Sequence, residues 1–126
     1  MAEGPYEVVC ASHELEEAGL AQVFDVIAHG EPARAFVLRH DGRVVGYLNR
    51  CAHQPVEMDW QPGQFLDDQG QFIVCAMHGA IYDPQDGRCV GGPCSGDGLV
   101  PLRVHEAHAQ VRWYPSDGIS PAFALP

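Results

Sequence analysis

The interpretation of this chain depends on two short stretches of sequence, CAH at residues 51–53 and CAMHGAIY at residues 75–82. Each stretch joins one cysteine to one histidine within a tight loop, and each loop follows a predicted strand. Thiolate and imidazole form a soft ligand set that favours zinc, copper or an iron–sulfur cluster over magnesium or calcium. The two stretches therefore predict a metal site. Its predicted ligands are Cys51, His53, Cys75 and His78.

The order of the ligand types narrows the choice of metal. Zinc sites commonly take cysteines from one short motif and histidines from another, so that like ligands lie together in the sequence. Here each pair is mixed. Mixed pairs suit two metal ions bridged by sulfide, with both thiolates on one iron and both imidazoles on the other. A single zinc ion held by two cysteines and two histidines stays open as the alternative.

With its ligands in the order C-x-H and then C-x-x-H, the chain resembles the Rieske 2Fe–2S family. The resemblance extends from Asn49 to about Leu102 and includes a Gly-Gly-Pro stretch at residues 91–93. It implies one 2Fe–2S cluster per chain, with the two cysteines on an inner iron and the two histidines on an outer iron. The residues that it places around the cluster are Gly79, Ala80, Tyr82 and Pro93.

The same resemblance bears on the reduction potential. Members of the family that oxidise quinols carry a second cysteine in each loop, joined as a disulfide, and a serine two residues after the second histidine. The corresponding positions here are Val56, Met77 and Ala80, which supply neither a disulfide nor a hydroxyl. Tyr82 is expected to donate to a thiolate sulfur. The resemblance therefore implies a potential in the lower part of the Rieske range, roughly −150 to 0 mV.

The rest of the sequence predicts an all-β domain, because turn-forming residues recur about every ten positions. Asp-Gly at residues 41–42, between two β-rich runs, predicts a tight hairpin. A helical turn is predicted at Glu14–Ala18 and a draped tail over the last dozen residues. The predicted strands are Tyr6–Cys10, Gln22–Ile27, Arg34–Arg39, Arg43–Leu48, Phe65–Leu66, Gln71–Cys75, Ile81–Tyr82, Arg88–Val90, Leu102–Glu106 and Gln110–Tyr114.

The resemblance implies a particular version of this fold. It is a Rieske-like antiparallel β-sandwich, a single domain over residues 1–126. A small cluster-binding subdomain at about residues 49–102 is formed by the two ligand loops plus the Gly-Pro loop.

Charge limits the possible partners. The 126 residues include seven basic ones, all arginine, and seventeen acidic ones, for a net charge of −10. Nucleic acid and anionic membranes both require clustered positive charge, so we expect neither as a partner. No stretch approaches the roughly 20 apolar residues of a membrane helix. The first residues do not form a basic and then apolar leader, so we expect a cytoplasmic protein.

The expected compartment also bears on whether the cysteines bind metal, form disulfides or remain free thiols. A reducing cytoplasm favours metal binding over disulfide bonds. Cys89 and Cys94 flank the Gly-Pro loop five residues apart, so a disulfide between them stays open, but the reducing compartment favours two free thiols. Cys10 is expected as a core residue within a strand.

The resemblance implies a soluble ferredoxin, an electron-transfer protein rather than an enzyme, and a monomer or weak oligomer. Its donor would be a flavoprotein reductase and its acceptor a terminal oxygenase or another redox enzyme. Two alternatives stay open: a Rieske-like small subunit of a larger oxidoreductase such as nitrite reductase, and a zinc-stabilised binding module without a redox role. The 21 residues from 54 to 74, between His53 and Cys75, make a long gap for the family. The sequence assigns no role to Met58–Gly63 within that gap.

Overall fold

The computed structural model describes residues 5–51, 56–59, 61–77, 79–94, 97–115 and 118–122. Within these residues the chain forms ten strands and two single turns of 3-10 helix. The strands are β1 (Glu7–Ala11), β2 (Gln22–Ala28), β3 (Glu31–His40), β4 (Arg43–Leu48), β5 (Ile73–Val74), β6 (Ile81–Tyr82), β7 (Cys89–Gly91), β8 (Val104–Ala107), β9 (Gln110–Trp113) and β10 (Ile119–Pro121). The 3-10 turns are Ser12–Glu14 and Gly92–Cys94.

The strands form three antiparallel sheets. One has the order β1-β9-β8, a second the order β10-β2-β3-β4, and a third, smaller one the order β5-β6-β7. The small sheet carries the second cysteine–histidine stretch between β5 and β6. The prediction of an all-β, antiparallel architecture is therefore confirmed. None of the described helices has the length and apolar character needed to cross a membrane.

The four-stranded sheet is the middle layer, and β3 shows why. Four consecutive residues of β3, from Ala35 to Leu38, are fully buried. Because side chains alternate along a strand, both faces of the sheet must be covered. Ala35 and Val37 pack in the cores shared with β1 and β9, whereas Phe36 and Leu38 pack in the core that contains both ligand cysteines. Phe36 stacks on Phe65 with ring centroids 3.7 Å apart.

Tyr47 of β4 fastens the small sheet to the middle sheet. Its hydroxyl donates to the Pro84 carbonyl oxygen at 2.7 Å, in the turn that follows β6. Burial raises the pKa of Tyr47 far above its ordinary value, so the phenol stays protonated and able to donate. Gly87 lies directly against the ring, where a Cβ atom would be 2.7 Å from a ring carbon.

Arg39 ties the middle sheet to the sheet of β1, β9 and β8. Two of its nitrogens donate to the Glu106 carboxylate at 2.9 and 2.8 Å. The same guanidinium donates to the carbonyl oxygens of Leu15 and Ser12. A planar guanidinium suits this role because its donors form a rigid fork that fits a carboxylate.

Two predictions about the chain ends are wrong. The tail contains a strand, β10, which pairs with β2 through Ile119 opposite Ala28. Ile119 is 3% exposed, so burial of its side chain stabilises this segment, although its prolines are typical of a loop. The helical turn lies at Ser12–Glu14 rather than at Glu14–Ala18: the Glu14 carboxylate accepts the Ala11 N–H at its start, and the buried Leu15 is already in an extended conformation (φ −108°, ψ 104°).

The short segment Phe65–Leu66, predicted as a strand, makes a single bridge from Leu66 to Ile73. Phe65 itself is buried against Phe36. Backbone hydrogen bonds flank the bridge, from the Val74 N–H to the Phe65 carbonyl oxygen at 2.8 Å and from the Asp67 N–H to the Phe72 carbonyl oxygen at 2.9 Å.

Candidate metal centre

The first cysteine follows the second strand of the Asp-Gly hairpin. After β4 ends at Leu48, the Cys51 N–H donates to the Val56 carbonyl oxygen at 2.9 Å, which closes a compact loop. Residues 52–55 lie outside the described residues, so the assignment of His53 as a ligand stays a prediction.

The second cysteine begins the connection between β5 and β6. The Cys75 N–H donates to the Ala80 carbonyl oxygen at 2.9 Å, and the Cys75 carbonyl oxygen accepts the Gly79 N–H at 2.8 Å. Gly79 has φ +75°, a left-handed conformation that glycine adopts at little cost. His78 lies outside the described residues and also stays a prediction.

The structure brings the two cysteine loops together. The Ala76 N–H of the second loop donates to the Met58 carbonyl oxygen, just beyond the first loop, at 2.9 Å. Cys51 is 2% exposed and Cys75 is 0% exposed, and both belong to one packed cluster of buried residues. Both are reduced cysteines. Two buried cysteines on neighbouring loops are compatible with the predicted pair of inner-iron ligands, and that assignment stays a prediction.

Tyr82 lies beside the first of these sulfurs. Its hydroxyl oxygen is 3.5 Å from the Cys51 Sγ, and its side chain is fully buried. If Cys51 is a thiolate ligand, its sulfur has no proton and the tyrosine must be the donor. The contact between Tyr82 and the Cys51 sulfur is therefore present. That this sulfur binds the cluster stays a prediction.

The Gly-Pro loop closes directly over the second loop. Gly92 has φ +81°, and a Cβ atom there would lie 2.7 Å from the Gly79 carbonyl oxygen and 2.9 Å from the Ala80 Cα. Only glycine fits so close an approach between two backbones. Pro93 follows in an exposed 3-10 turn. Its role as a shield for the cluster stays a prediction.

Cys89 corrects the expectation of free thiols around this loop, because it is disulfide-bonded. The expectation rested on the redox compartment, which governs whether disulfides persist. A disulfide also requires that the folded backbone bring two sulfurs within bonding distance, and this distance cannot be read from the sequence.

Cys10 is the third reduced cysteine and belongs to a different part of the molecule. It is 8% exposed on β1 and packs with Leu15, Val37 and Val111. Burial, with a smaller contribution from the negative charge of Glu14, raises its pKa to about 11. A buried, protonated thiol is unreactive, which confirms the prediction that Cys10 is a core residue.

Exposed apolar side chains are found on all three loops. Val56 is 38% exposed, Met77 54% and Val90 44%. Val56 accepts the hydrogen bond that closes the first loop, Met77 lies in the second, and Val90 belongs to β7, which leads into the Gly-Pro loop. These three exposed apolar side chains therefore lie in or beside the segments that bear the predicted site.

Sequence reasoning missed one pair of polar residues at the site. Asn49, two residues before Cys51, is 4% exposed, and its side-chain amide donates to the Asp59 carboxylate at 2.8 Å. The available signal was weak: an asparagine near the first ligand and an acidic residue in a segment to which the sequence assigned no role.

Comparison with known proteins identifies the family. Residues 6–115 match the Rieske 2Fe–2S domain. The chain belongs to this family. The cofactor of a Rieske domain is one 2Fe–2S cluster, held by two cysteines and two histidines. The buried Cys51 and Cys75 sulfurs, with a tyrosine hydroxyl beside one of them, fit the thiolate half of that ligand set.

Solved structures share the Rieske fold with this chain. The ferredoxin of carbazole 1,9a-dioxygenase from Nocardioides aromaticivorans IC177 is 20% identical, with a TM-score of 0.71, over 90% of this chain and 100% of that one. The terminal oxygenase of the same system is 25% identical, with a TM-score of 0.66, over 89% of this chain and 30% of that one. A 2-oxoquinoline 8-monooxygenase component is 23% identical, with a TM-score of 0.65, over 96% and 28% of the respective chains.

The Rieske domain thus spans the whole of the similar ferredoxin but less than a third of the oxygenase chains. In the comparison with curated proteins, no sequence matches the chain.

Proposed function

We propose that this Rieske domain is a one-electron carrier that takes electrons from a flavoprotein reductase and delivers them to a terminal oxygenase. The observation that carries the proposal is the end-to-end match to a ferredoxin, over 90% of this chain and all of that one. Other similar structures are complexes between an oxygenase and a ferredoxin, which supports an oxygenase as the acceptor.

The proposed ligands are Cys51 and Cys75 on the inner iron and His53 and His78 on the outer iron. When bound, the cluster supplies a site that accepts and releases one electron. Burial of the two cysteines keeps water from their sulfurs. The Tyr82 hydroxyl stabilises negative charge on the Cys51 sulfur through a charge-assisted hydrogen bond. These residues hold the charge in place; the chain contributes no substrate chemistry in this proposal.

The loop surface supplies the contact with a redox partner. Val56, Met77 and Val90 present apolar area around the loops that bear the histidines. The net charge of −10 provides a long-range attraction for a basic docking patch. Apolar contact holds two proteins together at short range, whereas charge mainly raises the rate at which they meet.

The first test compares serine substitutions of two buried cysteines that lie in different parts of the molecule. Cys75→Ser removes a proposed ligand, and Cys10→Ser removes a buried thiol on β1. We expect the unaltered protein and Cys10→Ser to be red-brown, to bleach with dithionite and to give a rhombic EPR signal with an average g value below that of the free electron. Cys75→Ser should lose the visible absorption and the signal.

Metal analysis accompanies the spectra. Two irons and two sulfides per chain are expected. Zinc in place of iron, or failure of anaerobic reconstitution to produce the spectrum, would contradict the proposed function.

The second test concerns the partner. Met77→Ser and Val8→Ser each replace an exposed apolar residue, the first on the second ligand loop and the second on β1, where Val8 is 50% exposed. In stopped-flow transfer to a purified terminal oxygenase, Met77→Ser should raise the concentration needed for half-maximal rate, and Val8→Ser should not. The rate at low concentration should also fall as salt rises. Equal behaviour of the two variants would place the contact elsewhere.

A further inference from the structure

Asn49 is a polar residue in a buried position, and both ends of its side chain are used. The Asn49 Nδ2 donates to the Asp59 Oδ1 at 2.8 Å, and the Asn49 Oδ1 accepts the Met58 N–H at 2.9 Å. Asn49 is 4% exposed. A buried amide is costly unless its donor and acceptor are satisfied. These two hydrogen bonds hold Met58 and Asp59, just beyond the first loop, against Asn49, which precedes Cys51 by two positions.

Asp59 connects the same point to the sandwich. Its second oxygen, Oδ2, accepts the Gly63 N–H at 3.0 Å. The Gly63 carbonyl oxygen in turn accepts the Ala21 N–H at 2.9 Å, just before β2. Gly63 has φ +81°, and a Cβ atom there would lie 3.0 Å from the Ala21 carbonyl oxygen, so the segment is pressed against this position.

Met58 connects the segment to the second cysteine loop. Its carbonyl oxygen accepts the Ala76 N–H at 2.9 Å, one residue after Cys75. Its side chain is fully buried in the core cluster that also contains both cysteines. Through Met58, Asp59 and Gly63, the segment is therefore attached to the first loop, to the second loop and to the sandwich.

We propose that Met58–Gly63 is a clasp that sets the spacing of the two cysteine loops, and that Asn49 and Asp59 are the positioning residues that close it. Neither residue touches the cluster in this account; each acts through the backbone of Met58 and Gly63. The inference rests on the proposed function only in that the two loops hold one cluster. The proposal gives a role to Met58–Gly63, the part of the long gap between His53 and Cys75 to which the sequence assigns none.

An exchange of the two side chains tests the clasp. In Asn49→Asp, two carboxylates face each other and the donor to Asp59 is lost. In Asp59→Asn, the two donors, Asn49 Nδ2 and Gly63 N–H, still lie at different ends of the side chain, so the new NH2 group faces one of them and that hydrogen bond is lost. The double variant Asn49→Asp/Asp59→Asn restores a full set of partners, since the carboxylate at position 49 accepts from Met58 N–H and from the amide at position 59. It also restores the wild-type charge.

Two readouts separate positioning from general stability. The first is the rate of amide hydrogen exchange at Ala76, divided by the rate at Phe36 in the middle sheet. The Ala76 N–H donates to the Met58 carbonyl oxygen and not to the side chain of Asn49 or Asp59, so any effect on it is transmitted through Met58. The second is the rate of cluster loss and the width of the EPR lines, which broaden when the loops sample several spacings. Val111→Ala is the matched control, because it opens a cavity in the core of β1 and β9.

We expect each single variant to raise the Ala76 ratio and the rate of cluster loss by about tenfold, the effect of losing one buried charge-assisted hydrogen bond. The double variant should recover most of both effects. Val111→Ala should lower the melting temperature and leave the ratio and the line width unchanged. Asp59→Glu, which keeps the charge and displaces it by one methylene, replaces any single variant that does not fold.

The clasp is overturned if Ala76 exchange is unchanged in the single variants, or if the double variant is no better than they are. The exchange ratio is measured on the protein as purified and is read independently of its visible spectrum. Absence of a 2Fe–2S spectrum in the unaltered protein would therefore contradict the proposed function alone, while the ratio would still decide the clasp.

Discussion

At the scale of single residues, Tyr82 gives the sharpest prediction about the potential. Its hydroxyl is 3.5 Å from the Cys51 Sγ. A donor to this sulfur stabilises the reduced cluster more than the oxidised one, because reduction adds negative charge. Tyr82→Phe should therefore lower the potential by roughly 30–60 mV, the equivalent of a fraction of one charge-assisted hydrogen bond. Protein-film voltammetry measures the shift.

Ala80→Ser provides the opposite change at a buried position whose carbonyl oxygen accepts the Cys75 N–H. Ala80 is 0% exposed and supplies no hydroxyl. A serine donor there should raise the potential, while Tyr82→Phe lowers it. If both substitutions move the potential in the same direction, the hydrogen-bond explanation fails and a change in solvent access would have to replace it.

The residue scale is also where the sequence was most informative. Cys51, His53, Cys75 and His78 could be proposed as ligands because metal ligands must be particular residue types at short spacing, and that assignment stays a prediction. The structure adds that the two cysteines are buried in one cluster. Asn49 and Asp59 could not be predicted, because an asparagine and an aspartate are common in loops and their contact depends on how the chain returns over Met58. The disulfide at Cys89 was missed for the same reason.

At the scale of elements, the Gly-Pro loop depends on one of two adjacent glycines. A Cβ atom at Gly92 would lie 2.7 Å from the Gly79 carbonyl oxygen, whereas one at Gly91 meets its nearest atom, in Ile81, at 3.6 Å. Gly92→Ala must therefore push the loop off the second ligand loop, and Gly91→Ala need not. We expect the cluster to be lost at least about tenfold faster in Gly92→Ala only, measured by the decay of visible absorption under air.

Prediction of elements succeeded where the signal was local. The Asp-Gly hairpin between β3 and β4 is present, with Asp41 at φ +55° and Gly42 at φ +75°. The strand β10 was missed because its stability comes from pairing with β2 and from burial of Ile119, both distant in sequence. Local turn residues such as Pro121 are compatible with the edge of a sheet, and only the tertiary structure reveals that edge.

At the scale of the whole molecule, the pair Arg39–Glu106 joins two sheets and makes stability depend on pH. The hydrogen bonds from Arg39 hold the pKa of Glu106 below its ordinary value of 4.5. The unfolded chain therefore binds a proton more readily than the folded one, so the stabilisation is present above pH 4.5 and is lost as the pH falls through and below it.

Glu106→Gln should lower the free energy of unfolding at neutral pH and reduce its decline on acidification, measured by urea unfolding at several pH values. Glu31→Gln, the same change at an exposed glutamate of β3, is the control. Some acid sensitivity should persist, because hydrogen bonds from the Gly42 and Asp41 N–H groups lower the pKa of Glu17 as well. Parallel curves for Glu106→Gln and the unaltered protein would contradict this account.

The two covered faces of β3 also have an evolutionary consequence. Ala35 and Val37 contact the sandwich core, and Phe36 and Leu38 contact the unit that holds the cysteines. A substitution in β3 is therefore constrained by the core on one side of the strand or by the core on the other, depending on which face its side chain occupies. A sequence change in the unit that holds the cysteines can therefore be accommodated at Phe36 and Leu38, while Ala35 and Val37 continue to fit the sandwich core.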